Sequence, residues 1–489
     1  MDAPPAGPGE RHRPTWPAAG AAALFGVTAV AGTCLSVVFA RGGDIFEARW
    51  EALHVLAAWA LVWAAGVIVV FRMPRRAAVA ATLAAGIALR LAALAGPPVL
   101  SDDLYRYSWD GRAQAAGVNP YLHPPLAPEL AGLREPWLWP DEQGCRALSR
   151  PPGCTRMNRP AERTIYPPLA QAWFAAAYRL GGIDAQHKLW QVAGLLGEVA
   201  LLGLAVAALR AWGRNPRWVA LYALSPVPVV EVVNNGHVDG VAAALVVAAL
   251  VVAARHRPTL AGALLGAAAL VKLYPVALIV GLAGLATGRR PKAAVLAKAG
   301  GAAVAMVAAG YLPHVLSAGP RVLGYLPGYL REEGYDAGTR YLLAGLVPGP
   351  AMLATALASL TVVATVIWAV RAGPEAPVPA RFTVLMGVLL LAATPVQPWY
   401  AVVLLAMATV AVAPVWAAVA LAAYPLFFAV ILDAPGAAAF GRWGYGLAAA
   451  AVGVCHLVTR PRPRPGNGDR GPAATATIGP RRWSRAHTN

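Results

Sequence analysis

Charge is the scarcest ingredient of this 489-residue chain. Only 13% of its residues are Asp, Glu, Lys or Arg, about half of the roughly 25% found in soluble globular proteins. A soluble enzyme of this length needs far more polar surface to cover itself, so that class is excluded. Carboxylates are rarer still, with 23 Asp and Glu against 41 Lys and Arg, a formal net charge of +18. No glycine-rich loop able to cradle a nucleotide phosphate is present. What the chain does have is apolar residues, 58% of the total. Disorder requires the opposite balance. The pI near 10.3 would suit nucleic acid, but no element is polar enough to present a wet basic face, so no nucleic-acid partner is expected. The remaining class is a polytopic membrane protein, whose positive charge needs another explanation.

Crossing a bilayer takes roughly 17–25 apolar residues. Clear runs of that kind span 18–40, 53–71, 77–96, 188–209, 293–312, 350–370 and 442–458. Less clear ones lie near 216–233, 238–254, 259–287, 379–394, 399–413 and 415–432. Several are short and interrupted by Pro or Gly, and broken backbone at membrane depth is tolerated only inside protein or beside a polar cavity. The expected fold is all-α, with about 12–14 transmembrane helices in a single domain over 18–458, flanked by disordered tails at 1–17 and 459–489. The first run is too long for the h-region of a cleaved signal peptide and is expected to be an uncleaved anchor.

Lys and Arg cluster at Arg11/Arg13, Arg72/Arg75/Arg76, Arg210/Arg214/Arg217, Arg255/Arg257, Arg289/Arg290/Lys292, Arg371 and the tail from Arg460 to Arg485. The positive-inside rule puts all of these in the cytoplasm. Both termini are then cytoplasmic. Segment 166–180 must lie at the outer surface, and 259–287 must be two half-helices turning back at Lys272–Pro275. Attraction to anionic membrane lipids is a further use for such charge.

The only long hydrophilic stretch, 97–165, is then outside. Ser101 is placed to cap a helix running to about Ala116, with Asp102 and Asp103 in its first turn, where the dipole favours carboxylates. Asp103, Tyr107 and Asp110 share a face, and Arg106 is three residues from Asp103. Capping and a surface ion pair would account for an anonymous Asp pair, and an interfacial aromatic belt for Tyr105, Tyr107 and Trp109. Neither accounts for the polar motifs at the outer ends of later spans: N-N-G-H-V-D-G (Asn234–Gly240), V-K-L-Y-P (Val271–Pro275), R-E-E-G-Y-D-A-G-T-R-Y (Arg331–Tyr341) and T-P-V-Q-P-W-Y (Thr394–Tyr400). Turn chemistry explains each alone; their convergence on one face points to a site. Lys272 and Arg90 stand inside apolar runs, where a cation is expensive and by default functional. Glu198 lies near mid-membrane with no partner legible.

The block S-D-D-L-Y-R-Y-S-W-D-G-R-A-Q-A-A-G-V-N-P-Y (Ser101–Tyr121), the segment I-Y-P-P-L-A-Q (Ile165–Gln171), and the N-N-G-H-V-D-G and L-V-K-L-Y-P turns resemble bacterial integral-membrane glycosyltransferases of the GT-C superfamily. The likeness is to the mannosyltransferase-like branch that takes sugars from polyprenyl phosphate, and it runs in order from about Arg90 to Tyr400. It implies an acidic base in the first large outer loop and a lipid-linked donor arriving from the membrane. The insert 134–163, with Cys145 and Cys154, departs from the family pattern.

Transfer from a lipid phosphate needs a base for the acceptor hydroxyl and cations where phosphate charge develops. Asp103 is expected as base with Asp102 close behind. Arg106, Lys272, Arg340, His237 and Arg90 are expected at the donor phosphate, guanidinium being suited to two parallel bonds. Tyr107, Asp110, Tyr166, Asn235, Asp239 and Tyr274 are expected around the substrates, and Gln397, Trp399 and Tyr400 beside the sugar. No tight metal-ligand spacing occurs, so no cofactor is expected. Cys34 and Cys455 sit in spans; Cys145 and Cys154 share the outer loop, where a bridge is permitted and would be worth about 2–3 kcal/mol. The reading is a hexosyltransferase at the outer face of a bacterial cytoplasmic membrane, moving mannose by preference from a polyprenyl-phosphate donor to a lipid or cell-envelope glycan acceptor. A secondary transporter or lipid-linked glycan flippase is the alternative class, resting on Glu198 but lacking an inverted repeat; a ligase joining lipid-linked glycans is a third.

Overall fold

A computed structural model describes residues 18–43 and 49–459. The tails at 1–17 and 460–489, with Arg11, Arg13 and the Arg460–Arg485 cluster, lie outside the described residues. Among the described residues no strand forms, apart from one isolated bridge between Thr287 and Arg290. The chain is an all-α polytopic membrane protein. Among the described residues, seven helices are long and apolar enough to cross a membrane, and five shorter apolar helices accompany them. Their outward faces carry large apolar side chains, such as Leu61 at 75% exposed and Val304 at 68%. Exposure of that kind is stable only when the surrounding solvent is hydrocarbon.

The long runs fold as their lengths require: Ala18–Arg41, Arg49–Val70, Arg75–Ala92, Gln186–Ala211, Lys292–Ala318 and Ala351–Arg371. One expectation changes. The seventh span by length and hydropathy is 414–431 rather than 442–458. The latter belongs to the helix Ala437–Thr459, where Arg442 and His456 dilute the apolar run. Prolines 216, 226 and 228 break 216–233 into short pieces, ending in a π-helical turn at Val229–Asn234. That turn delivers Glu231 and the Asn234–Asn235 pair to the interior.

The run 259–287 is a pair of short elements, as expected, but of two kinds. Pro258–Ala269 is α-helical and Tyr274–Leu285 is a 3-10 helix. Twelve residues is long for that form. Its three-residue repeat stacks Gly281 directly above Gly284, and both face the helix Val378–Ala393. A Cβ at Gly281 would meet the Phe382 ring at 2.7 Å, and one at Gly284 the Arg381 Nε at 2.9 Å. Close approach between elements, rather than backbone preference, explains the tighter winding.

Two further helices support the loop end of the molecule. Asp103–Ala115 starts at Asp102, one residue later than a Ser101 cap implies. Asp102 makes no side-chain cap, and the Asp103 N–H donates instead to Ser101 Oγ at 3.2 Å. This helix packs on Pro168–Gly181 through Gly111, where a Cβ would stand 2.6 Å from the Phe174 carbonyl oxygen. Residues 134–163 fold over the same end, with Cys145 bonded to Cys154. At the opposite end of the helices lie the basic turns 255–257 and 289–292.

Candidate active site

The loop end encloses a cavity of about 770 Å3. One wall is polar. It is built from the start of the Asp103–Ala115 helix, the insert 134–163, the Lys272–Tyr274 turn, the 325–340 loop and the 395–400 turn. The other wall is apolar, formed by Met386, Leu389, Leu390 and Ala393 facing Phe427, Val430 and Ile431.

Asp102 and Asp103 lie on the polar wall and are held together from the insert. Asn158 Nδ2 donates to Asp102 Oδ1 at 2.6 Å and to Asp103 Oδ1 at 3.0 Å. Beyond that the two diverge. The second oxygen of Asp103 accepts from the Tyr166 hydroxyl at 2.9 Å and lies 3.9 Å from His237 Nε2. Burial raises the Asp103 carboxyl, but His237, Lys272 and the bonds from Asn158 and Tyr166 outweigh it and hold it below the ordinary carboxylate value. The second oxygen of Asp102 accepts no side-chain hydrogen bond among the described residues, and Arg150 lies 3.8 Å from it. Burial, and then the charge of Asp103, push the Asp102 carboxyl up to about 6.

Cations face this pair. Arg106 does not bridge to Asp103. Its Nε donates to Asp110 Oδ1 at 2.9 Å and its Nη1 to the Glu162 carbonyl at 3.1 Å, while Nη2 is buried at the cavity wall without a hydrogen-bond partner. Asp110 is itself fixed by Gln171 at 2.8 Å. Lys272 Nζ is 3.2 Å from Asp239 Oδ2 and stands over the rings of Tyr166 and Tyr400, 5.3 and 5.4 Å from their centroids, a cation–π arrangement. Arg340 is paired with Glu333 at 2.9 Å.

Several expected residues sit just behind the wall. Tyr107 is fully buried, stacked on Phe174 and edge-on to Tyr166. Asn235 Oδ1 accepts from the Val99 and Leu100 N–H groups, at 3.1 and 3.0 Å, and so fixes the approach to the Asp pair. Asp239 binds Lys272 and accepts from the Tyr274 hydroxyl at 3.1 Å. His237 lies beneath Trp399, ring centroids 4.0 Å apart, and pairs with Ser101 Oγ at 2.9 Å. These side chains hold the wall and do not form it. Tyr166, Tyr274, Gln397, Trp399 and Tyr400 do line the cavity.

Arg90 is misplaced by the expectation. It is fully buried outside the cavity, donating to Glu198 Oε2 through Nε and Nη2 at 3.0 and 2.7 Å, and through Nη1 to the Gly86 and Ala223 carbonyls. Desolvation of a lone guanidinium in the membrane forces such pairing, and the partner illegible in the sequence is Glu198. That carboxylate also accepts from Tyr222 at 2.7 Å, so the residue that motivated a transporter is spent on internal bonds.

The sequence reading missed Asn158, Arg150, Glu333 and Glu231. Glu333 ties Arg340 to Gln397, accepting from Gln397 Nε2 at 2.7 Å. Glu231 is fully buried, 3.4 Å from His237 Nδ1, and accepts from Tyr424 at 2.7 Å. A carboxylate in the run V-P-V-V-E-V-V carried the same signal as Lys272. Asn158, an ordinary residue in an unmatched insert, carried none.

Residues 164–398 match the model of glycosyltransferase family 87. The match spans just under half of the chain and supports a membrane glycosyltransferase. It takes in Tyr166, Lys272, Arg340 and Gln397, whereas the Asp pair and the whole insert precede it. No curated protein and no solved structure matches the chain. Among the described residues, no group of three or more His, Cys, Asp and Glu is arranged to hold a metal ion.

Proposed function

We propose that the chain transfers a hexose, by preference mannose, from a polyprenyl-phosphate donor to a lipid or cell-envelope glycan acceptor. The reaction takes place on the outer side of a bacterial cytoplasmic membrane, with both termini inside. The observation that carries this reading is one cavity with two unlike walls. Carboxylates and cations that suit a sugar phosphate face an apolar slot that suits an isoprenoid tail.

The acceptor hydroxyl oxygen attacks the anomeric carbon as the bond from that carbon to the phosphate oxygen breaks. The hydroxyl proton passes to a carboxylate. The electron pair of the broken bond stays on phosphate, which leaves as the polyprenyl monophosphate, and the anomeric centre inverts. Sequence alone favours Asp103 as base with Asp102 close behind; two features support giving the role to Asp102. Both oxygens of Asp103 already accept hydrogen bonds, and cations lock it as an anion. Asp102 keeps one oxygen open, and a carboxyl near 6 matches neutral pH better as a proton acceptor. Arg106, Lys272 and Arg340, which line the cavity, would neutralise the leaving phosphate. Trp399, Tyr400 and Gln397 offer ring faces and an amide to the pyranose.

The test is transfer from radiolabelled polyprenyl-phospho-mannose in membranes containing the full chain. Wild type should yield a labelled product that a deletion strain lacks, and Asp102→Asn should lose about 10²–10⁴-fold in rate. Transfer only from nucleotide-activated mannose would overturn the donor. Undiminished transfer by folded Asp102→Asn would overturn the base.

A further inference from the structure

A second cavity, of about 360 Å3, lies at the basic end, between the start of the helix Pro258–Ala269 and the start of Lys292–Ala318. The two helices are locked together above it. Gly262 and Gly266 face Ala299 and Ala303 so closely that a Cβ at Gly262 would run into the Ala299 carbonyl, the close-packing pattern of small residues four apart. The cavity therefore has a fixed roof. The Pro258–Ala269 helix separates it from the Lys272 turn, about 18 Å away at 1.5 Å per residue.

Its lining contains His256, Arg257, Arg290 and Lys298 and no carboxylate. Arg290 Nη1 donates to the His256 carbonyl at 3.2 Å, which joins the 255–257 and 287–290 turns and fixes one guanidinium at the rim. No ion pair neutralises Arg257, Arg290 or Lys298 among the described residues. The helix Pro258–Ala269 begins here with no side-chain cap, so its positive end adds to the same field. Lys298 is exposed although it lies six residues, nearly two turns, into an apolar helix. Leu260, 45% exposed, and Val304, 68% exposed, continue the outward surface towards the hydrocarbon. Orientation by charge accounts for cations in turns. It does not account for a walled cavity, nor for a lysine this deep.

We propose that this cavity binds the phosphate of an anionic phospholipid. Arg257, Arg290 and Lys298 would surround the headgroup, and the acyl chains would lie along Leu260 and the Lys292–Ala318 helix. A free phosphate offers the same head chemistry without the chains. The site does not depend on the transferase reading.

The test uses the full chain purified in detergent, with lipid binding counted by native mass spectrometry. The probes are phosphatidylglycerol, phosphatidylcholine and inorganic phosphate. Wild type should retain phosphatidylglycerol over phosphatidylcholine by tenfold or more, given about fivefold per cation at a headgroup, and excess phosphate should not displace it. Arg257→Gln/Arg290→Gln/Lys298→Gln should lose the preference. Arg210→Gln/Arg214→Gln/Arg371→Gln, which removes equal charge elsewhere at that end, should keep it. An equal loss in both triple variants would reduce the effect to bulk charge and overturn the site. A preference that survives in the first variant would do so too. Displacement by inorganic phosphate would reassign the cavity to a soluble anion.

Discussion

Asp102 and Asp103 are adjacent in sequence and unlike in surroundings, and that difference is measurable. If Asp102 is the base, kcat/KM should rise with pH through about 6 and level above it, since the carboxylate must be ionised to accept the proton. The charge of Asp103 raises Asp102, so Asp103→Asn should move the rising limb to lower pH. The Asn158 bond lowers Asp102, so Asn158→Ala should move it to higher pH. Shifts in the same direction for both variants would contradict the arrangement. Arg90 behaves differently: Arg90→Met leaves Glu198 buried without its partner and should cost about 3–5 kcal/mol, seen as a lower melting temperature in detergent. Adding Glu198→Gln should recover most of that loss. The sequence made the Asp pair and Lys272 visible because charge is rare in this chain. It could not separate Lys272 from Arg90, because both are cations in apolar runs, and only tertiary contacts show that one faces a cavity and the other a carboxylate.

Among the elements, the insert and the half-helix pair position the site. The Cys145–Cys154 bond closes a short ring in the insert that delivers Asn158 and Arg150 to the acids. Cys145→Ser should lower stability by about 2–3 kcal/mol, and non-reducing peptide mapping of wild type should recover the two cysteines as one linked species. Free thiols at both positions would refute the pairing. The Lys272–Pro275 reversal was legible from the basic turns that flank the run, which the positive-inside rule keeps on one side. The 3-10 winding of Tyr274–Leu285 was not, because it is imposed by Phe382 and Arg381, more than ninety residues further along. Prolines 216, 226 and 228 announced a break, while the π turn that follows depends on what surrounds Glu231.

For the whole molecule, the two ends carry opposite kinds of residue. Among the described residues, acids, aromatics and the larger cavity gather at one, and the basic turns at the other. In intact cells, on a background with Cys34 and Cys455 replaced, a cysteine at exposed Asp336 should react with a membrane-impermeant thiol reagent, and one at exposed Arg214 should not. The reverse pattern would invert the proposed orientation. Apolar runs made the helical class legible, and basic turns suggested its polarity. Which loops meet was not legible, since the Arg159–Glu332 pair joins segments 173 positions apart.

The apolar wall between the Val378–Ala393 and Ala423–Ile431 helices has a practical consequence. An apolar slot does not distinguish an isoprenoid from the tail of a surfactant. With donor varied at each of several fixed detergent concentrations, solubilised enzyme should therefore show an apparent donor KM that climbs with detergent, while the same preparation in nanodiscs should show no such rise as empty nanodiscs are added.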